Sequence, residues 1–350
     1  MSAQIGRSLI SVTRLAILVV MLAVLVVPLA VLVAPPAAPA AEKIKITLPA
    51  AAVTFASLYH AKAAGYFADE GLDVEIVTVA GGGSLQALIA KDAQFCVTPG
   101  TYQMQAFEKG QHLIATAAIM NRNAINVVMH KDVAREKGIT EKTPLADKIK
   151  ALKGLKLSGV AVGSFSYQVM LYYLLKAGID PQKDVQLIGI GQGPAMVLAL
   201  EQRKVDAFAT GTPIPDAAVA RGIGVMIVDN SAGEDPDFAE FMMNAVIVHP
   251  DYARQNPETV RKVIRALIKA NGWLLDHPAE AAVPSMKPFL GRVEDKVIAD
   301  GVEKVRQGIP RDGKITPRAV ELTESFMLKI GAIKTKIPYE KLVTTEFLPK

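Results

Sequence analysis

The chain has one cysteine, one tryptophan and few aromatic residues (6%) among its 350 positions. A single thiol, Cys96, excludes an internal disulfide framework and any metal site built from several cysteines. Histidine is equally sparse. His60, His112, His130, His249 and His277 stand apart without an i,i+4 pair, so no metal centre is expected. There is no large excess of positive charge either. The 39 basic residues include Arg7 and Arg14, and without these two the balance is 37 against 34 acids, a net +3. Such a balance leaves no electrostatic footprint for nucleic acid. Beyond Ala41 no apolar run is long enough to cross a bilayer.

The first forty residues do contain one. Two arginines, no acid, an unbroken apolar stretch from Leu15 to Ala34 and then small residues follow one another in the order of an export signal. Ala38-Pro39-Ala40 fits a small-x-small cleavage site, which makes residues 1–40 a signal peptide and Ala41 the first mature residue. The alternative is an N-terminal anchor, because a stretch of 20 apolar residues just spans a membrane. Pro28 inside the run favours cleavage. The mature chain is expected to be exported.

From Lys43 onward, strand and helix patterns alternate. Strands are expected at 44–48, 73–77, 95–97 and 113–118, with helices at 55–64, 84–90 and 101–108 between them. The rhythm restarts after Gly154, with strands at 155–160, 185–190, 207–209 and 225–228 and helices at 167–176, 195–202 and 213–221. From Asn256 the pattern is helical, over 258–276, 279–289, 293–307 and 317–330. Alternation of this kind predicts parallel sheets with helices on their faces. A gap-free internal repeat at an offset of 112 aligns Ala87 to Gly110 with Ala199 to Gly222, and five of the 24 positions are identical.

In open parallel sheets, ligands sit beyond the carboxyl ends of the strands, where helix N-termini point. The turns expected there share one chemistry: Thr54-Phe55, Gly81 to Ser84, Thr98 to Thr101, Gly163 to Tyr167, Gly191-Gln192-Gly193 and Thr210 to Pro213. Small residues admit close backbone approach, and free N–H groups at a helix start favour an anion. Any one such residue also serves as an ordinary cap or turn former. Six converging turns make an anion-receptive cleft the expectation. Ser84, Thr98, Ser164 and Thr210 rank first, because each stands at a strand-to-helix junction. Phe55, Tyr59, Tyr102, Phe165 and Tyr167 are candidates for aromatic walls.

These residues carry a resemblance. Gly65-Tyr66-Phe67, then Glu70 to Val74, then the Gly81-Gly82-Gly83 loop resemble the opening of periplasmic solute-binding proteins of the nitrate/sulfonate/taurine class. Leu175 to Asp180, Asp184-Val185 and Val205-Asp206-Ala207 resemble markers of that family's second half. One departure stands at Ala93-Gln94, where the family has an Asp in the second place. The resemblance implies an α/β, two-lobed periplasmic-binding-protein fold of type II, each lobe a mostly parallel sheet flanked by helices, with a helical C-terminal extension. Lobe I would comprise 41–126 and 245–350, and lobe II 127–244 with the hinge strands. The crossing strands fall near Asn126 to His130 and Asn244 to His249. The implied function is the substrate-binding component of an ABC importer. Such a protein takes a small organic anion (sulfonate- or taurine-like, aromatic, or nitrate) and delivers it to a membrane permease. No cofactor, no catalysis and a monomer are expected. The ligand residues carried over or read from the turns are Thr54, Phe55, Tyr59, Gly83, Ser84, Thr98, Thr101, Ser164, Phe165, Ser166, Gln192, Thr210 and Thr212.

Two alternatives stand beside this reading. One is an enzyme on the same scaffold, a desulfinase or pyrimidine synthase, for which Cys96 would be the nucleophile. The cysteine-rich motif of the fungal pyrimidine synthases is missing, and no histidine neighbours Cys96 in sequence. The other is a membrane-tethered ligand sensor. Asp206 and Asp216 are weaker candidates for contacting an amine, and Gly189 to Gly193 lacks the spacing of a dinucleotide loop.

Overall fold

Two five-stranded sheets, each flanked by helices, organise the chain. A computed structural model describes residues 40–191, 193–291 and 293–349. The expected signal peptide, up to residue 39, and Gln192 lie outside the described residues.

The first sheet contains β1 (Glu42–Leu48), β2 (Leu72–Thr78), β3 (Phe95–Thr98), β4 (Ile114–Met120) and β10 (Asn244–Val248), in the order β2-β1-β3-β10-β4. The second contains β5 (Ile125–His130), β6 (Lys156–Gly159), β7 (Gln186–Gly189), β8 (Ala207–Gly211) and β9 (Gly224–Val228), in the order β7-β6-β8-β5-β9. β1 pairs in parallel with β2 and β3, while β10 runs antiparallel to β3 and β4. The second sheet repeats this plan. β6 is parallel to β7 and β8, and β5 is antiparallel to β8 and β9. The chain therefore passes from one lobe to the other between β4 and β5 and returns between β9 and β10. The α/β two-lobed fold is the one expected.

Burial explains the residue choices. β5 (INVVMH) and β10 (NAVIV) are buried at every position, as inserted central strands covered on both faces must be. The edge strand β2 (LDVEIVT) instead alternates buried and exposed residues over its first four positions.

Fifteen α-helices are assigned among the described residues. Those of the first lobe are α1 (Ala56–Ala63), α2 (Tyr66–Asp69), α3 (Gly83–Ile89) and α4 (Gly100–Glu108). The second lobe has α5 (Lys131–Glu136), α6 (Leu145–Lys150), α7 (Phe165–Lys176), α8 (Pro194–Glu201) and α9 (Ile214–Ala220). The C-terminal set is α10 (Pro250–Gln255), α11 (Pro257–Asp276), α12 (Ala279–Leu290), α13 (Asp295–Val305), α14 (Pro317–Lys329) and α15 (Tyr339–Leu342). None is long and apolar enough to cross a membrane.

The repeat is geometric as well as sequential. Lys91 and Arg203, 112 residues apart, are the non-glycine residues with positive φ among the described residues, at 64° and 56°. Each follows a helix, and the next N–H closes back on the helix: Asp92 N to Ala87 O, and Lys204 N to Ala199 O, both 2.9 Å. Gln94 and Asp206 occupy another equivalent pair. Gln94 Oε1 accepts Lys45 N–H at 2.8 Å, and Asp206 Oδ2 accepts Lys156 N–H at 2.9 Å, so each ties the start of its short strand to the neighbouring strand. The acid-to-amide departure at Gln94 thus preserves an acceptor oxygen.

The long helix α11 presents Val260, Val263, Ile264, Leu267, Ala270 and Leu274 on its buried face, the spacing of an amphipathic helix. With α12 it covers α1. His60 of α1 stacks on Trp273 with ring centroids 3.8 Å apart, and His277 stacks on the same indole at 4.4 Å. His60 Nδ1 lies 3.0 Å from Ser285 Oγ. Burial, and then the neighbouring His277, push the His60 pKa down from 6.5 to about 4. The unfolded chain therefore binds the His60 proton more readily than the folded one, and this linkage removes stability as pH falls from about 6.5 toward 4. Denaturant titrations across that window are expected to show declining stability, with a smaller pH dependence in His60→Phe. An equal pH dependence in the variant would contradict the assignment.

Candidate functional site

The strands of both sheets end at one cavity of about 280 Å³. Its wall comes from the turns after β1 (Pro49 to Ala52, Thr54, Phe55), β2 (Gly81) and β3 (Pro99, Tyr102) in the first lobe. The second lobe adds Val160 and Ser164 to Ser166 after β6, Gly193 and Pro194 after β7, and Thr210, Gly211, Pro213 and Ile214 at β8. The crossing segments supply Ile125, Met243 and Asn244, the end of α12 supplies Phe289 and Leu290, and the link after it supplies Val293. This is where open parallel sheets place ligands.

Ser164 caps α7, its Oγ accepting the N–H groups of Tyr167 at 3.3 Å and Ala161 at 3.2 Å. Ser166 Oγ accepts Val160 N–H at 2.9 Å and lies 3.1 Å from Ser164 Oγ. One hydroxyl proton can bridge the two oxygens, which leaves the other O–H as a donor for a guest. The first N–H of α7 is already engaged. Phe165 N donates across the cleft to the Tyr102 hydroxyl at 3.0 Å. Burial raises the pKa of that phenol to about 12, so it is neutral at ordinary pH. Among the described lining residues none is ionised at pH 7, and the apolar wall includes the rings of Phe55, Phe165 and Phe289.

Six of the thirteen expected site residues border the cavity: Thr54, Phe55, Ser164, Phe165, Ser166 and Thr210. Gln192 lies outside the described residues. The others stand behind the wall. Tyr59 is fully buried and stacks on Phe289 at 4.0 Å, supporting the ring that does face the cavity. Gly83 packs against its own strand end, where a Cβ would meet Val79 Cγ1 at 2.9 Å. Ser84 Oγ donates back to Gly81 O at 3.0 Å, so it braces the turn whose Gly81 reaches the wall. Thr98 and Thr101 are wholly buried and do not line the cavity. Thr212 Oγ1 sits between Asn126 Nδ2 (3.1 Å) and Ser231 Oγ (3.2 Å), in a network that joins β5 to the turns after β8 and β9.

Residues absent from the expected set include Asn244, Met243 and Phe289. Asn244 Nδ2 donates to Thr54 O at 2.9 Å and so holds the turn after β1. Its place at the start of a crossing strand was the available signal, whereas nothing local marks Phe289. His130, at the end of β5, and His249, just after β10, each cap the next helix, Nδ1 accepting the N–H two residues on (3.2 and 3.3 Å). Asp206 and Asp216 serve strand pairing and an ion pair with Lys304, respectively.

Cys96 is fully buried in β3 and does not line the cavity. Burial pushes its pKa up to about 11, which favours the protonated thiol at ordinary pH. A thiol reagent at pH 8 is expected to leave the folded protein unmodified and to react once denaturant is added. Rapid labelling of the native protein would contradict this enclosure. Tyr102→Phe removes the interlobe acceptor, so a loss of about 1 kcal/mol in denaturant unfolding is expected. Unchanged stability would show that the bond contributes nothing.

The protein YtlA of Bacillus subtilis (strain 168), named as a binding protein, is 24% identical over 88% of this chain and 89% of its own length. The periplasmic nitrate-binding protein NrtA from Synechocystis PCC 6803 superposes with a TM-score of 0.68 at 18% identity, covering 89% of this chain and 88% of that one. The periplasmic aliphatic sulphonate binding protein SsuA from Escherichia coli gives 0.65 at 18% identity, covering 86% and 91%. The desulfurization enzyme DSZB shares the fold as well, at 0.61 and 16% identity over 87% and 97%. The family model described as NMT1/THI5 like matches residues 52–281, from the turn after β1 into the helix that carries Phe289. With the two-lobed fold and its cavity at the strand ends, that match places the chain in the NMT1/THI5-like family, and its fold is that of the nitrate-binding NrtA and the sulphonate-binding SsuA.

Proposed function

We propose that this protein is the solute receptor of an ABC importer, exported to the periplasm, cleaved after Ala40 and working as a monomer that delivers its ligand to a membrane permease. The observation that carries the reading is the cavity itself, which draws its wall from both lobes and from the segments that cross between them. Affinity then comes from two lobes closing over one guest, with no bond made or broken.

The ligand is a small organic molecule with an apolar, preferably aromatic body. Phe55, Phe165 and Phe289 offer surface that a bare inorganic ion would leave unfilled. Its polar end faces the Ser164 and Ser166 hydroxyls at the start of α7. A carboxylate or sulfonate there is held by O–H and N–H dipoles, because no described lining side chain supplies a full positive charge. Nitrate alone fits this wall poorly, although NrtA is named for binding it. A desulfinase-like reaction is disfavoured by the enclosure of Cys96.

Thermal melts with arylsulfonates, aromatic carboxylates, alkylsulfonates, taurine and nitrate test the proposal. At 100 times its Kd a true ligand adds about 2.7 kcal/mol of stability. The aromatic members are expected to raise Tm most, nitrate least, and none to be consumed. A response to nitrate alone, or turnover of any member, would overturn the reading.

A further inference from the structure

We infer that α13 (Asp295–Val305) is a latch that holds the two lobes together from outside the cavity. The inference depends on the cavity being a closing cleft but not on which solute it takes.

The helix is anchored to the first lobe. It packs along α12, whose Phe289 and Ser285 engage Tyr59 and His60 of α1. Just beyond its end, Arg306 donates to the carbonyl oxygens of Leu275 (3.3 Å) and His277 (2.9 Å), and Asn121 N–H, immediately after β4, bonds Gly308 O at 2.8 Å.

Two residues one helical turn apart then meet the second lobe. At Gly301 the helix passes between the lobes so closely that a Cβ would lie 2.8 Å from Thr212 Cγ2 and 3.4 Å from Val53 Cγ2. Glycine inside a helix is less favourable than alanine, so its presence here reflects the lack of room. Val53 N–H and Thr212 O, a pair spanning the two lobes, are themselves hydrogen-bonded at 3.3 Å. Three residues on, Lys304 Nζ contacts Asp216 Oδ1 at 2.5 Å in the first turn of α9 and Asp229 Oδ2 at 3.1 Å just after β9. Both carboxylates belong to the second lobe, and Lys304 is two-thirds buried, which limits screening.

Parting of the lobes draws Lys304 away from two carboxylates at once and separates Thr212 from the Gly301 backbone. No residue of α13 lines the cavity. The helix therefore acts on the closed population, and through it on apparent affinity, without touching a ligand.

The test uses the full chain without added solute. Spin labels are placed at Asp73→Cys and Glu201→Cys, exposed positions on opposite lobes, with Cys96 buried out of reach. Interlobe distance distributions are compared for the wild-type background, Lys304→Met, Lys304→Arg and Gly301→Ala. Lys304→Met and Gly301→Ala are expected to shift the distribution to longer distances, and Lys304→Arg to restore it. Folded Lys304→Met and Gly301→Ala proteins with the wild-type distribution would overturn the latch. Failure of both to fold would assign the helix to fold stability and overturn it equally. Because no ligand is used, a silent solute panel leaves this result standing, and the reverse also holds.

Discussion

One constraint underlies the architecture. Each sheet is completed by an antiparallel strand that arrives from the other lobe, and neither β5 nor β10 has an exposed position. A strand buried on both faces must pair on both edges, because unpaired N–H and C=O groups cost several kcal/mol away from water. The two crossings are thereby fixed next to the strand ends where the turns converge. Asn126 and Asn244, near the starts of these strands, pass that order outward. Asn126 holds Thr212 and Ser231, and Asn244 holds the carbonyl of Thr54. The cavity is the space left between turns that these two asparagines help to position.

Much of this was legible in the residues. The strands and helices read from the residue pattern fall on observed elements with boundary shifts of only a few residues, whereas β5 and β10, buried on both faces and so without period two, are placed only through the resemblance. The offset of 112 is visible in identities and reappears in backbone geometry, since Lys91 and Arg203 both adopt a left-handed conformation after a helix. Gln94 shows how a marker can be misleading. Its departure from the family's acid looks like a loss at a ligand site, yet Gln94 and Asp206 both serve strand pairing, for which any acceptor oxygen suffices.

The site was less legible, for a directional reason. Ser84 and Ser164 both stand at strand-to-helix junctions, and no local pattern separates them. Ser164 caps its helix and borders the cavity, whereas Ser84 turns its hydroxyl back to Gly81. Thr98 and Thr101 are likewise drawn into the first lobe's interior. The apolar wall is harder still to foresee. Met243 and Phe289 arrive from segments far along the chain, and only tertiary packing brings them beside Phe55 and Phe165. The expectation of an anion from free helix-start donors also meets competition, because Tyr102 takes the first N–H of α7 for the protein's own closure.

The central claim is that turns from both lobes form one ligand site. Hydrogen–deuterium exchange, measured with and without the first solute found to raise Tm, tests it most directly. The account predicts simultaneous protection of residues 49–55, 160–166, 210–214 and the end of α12, four stretches remote in sequence. Protection confined to one lobe, or to the outer helices, would contradict it.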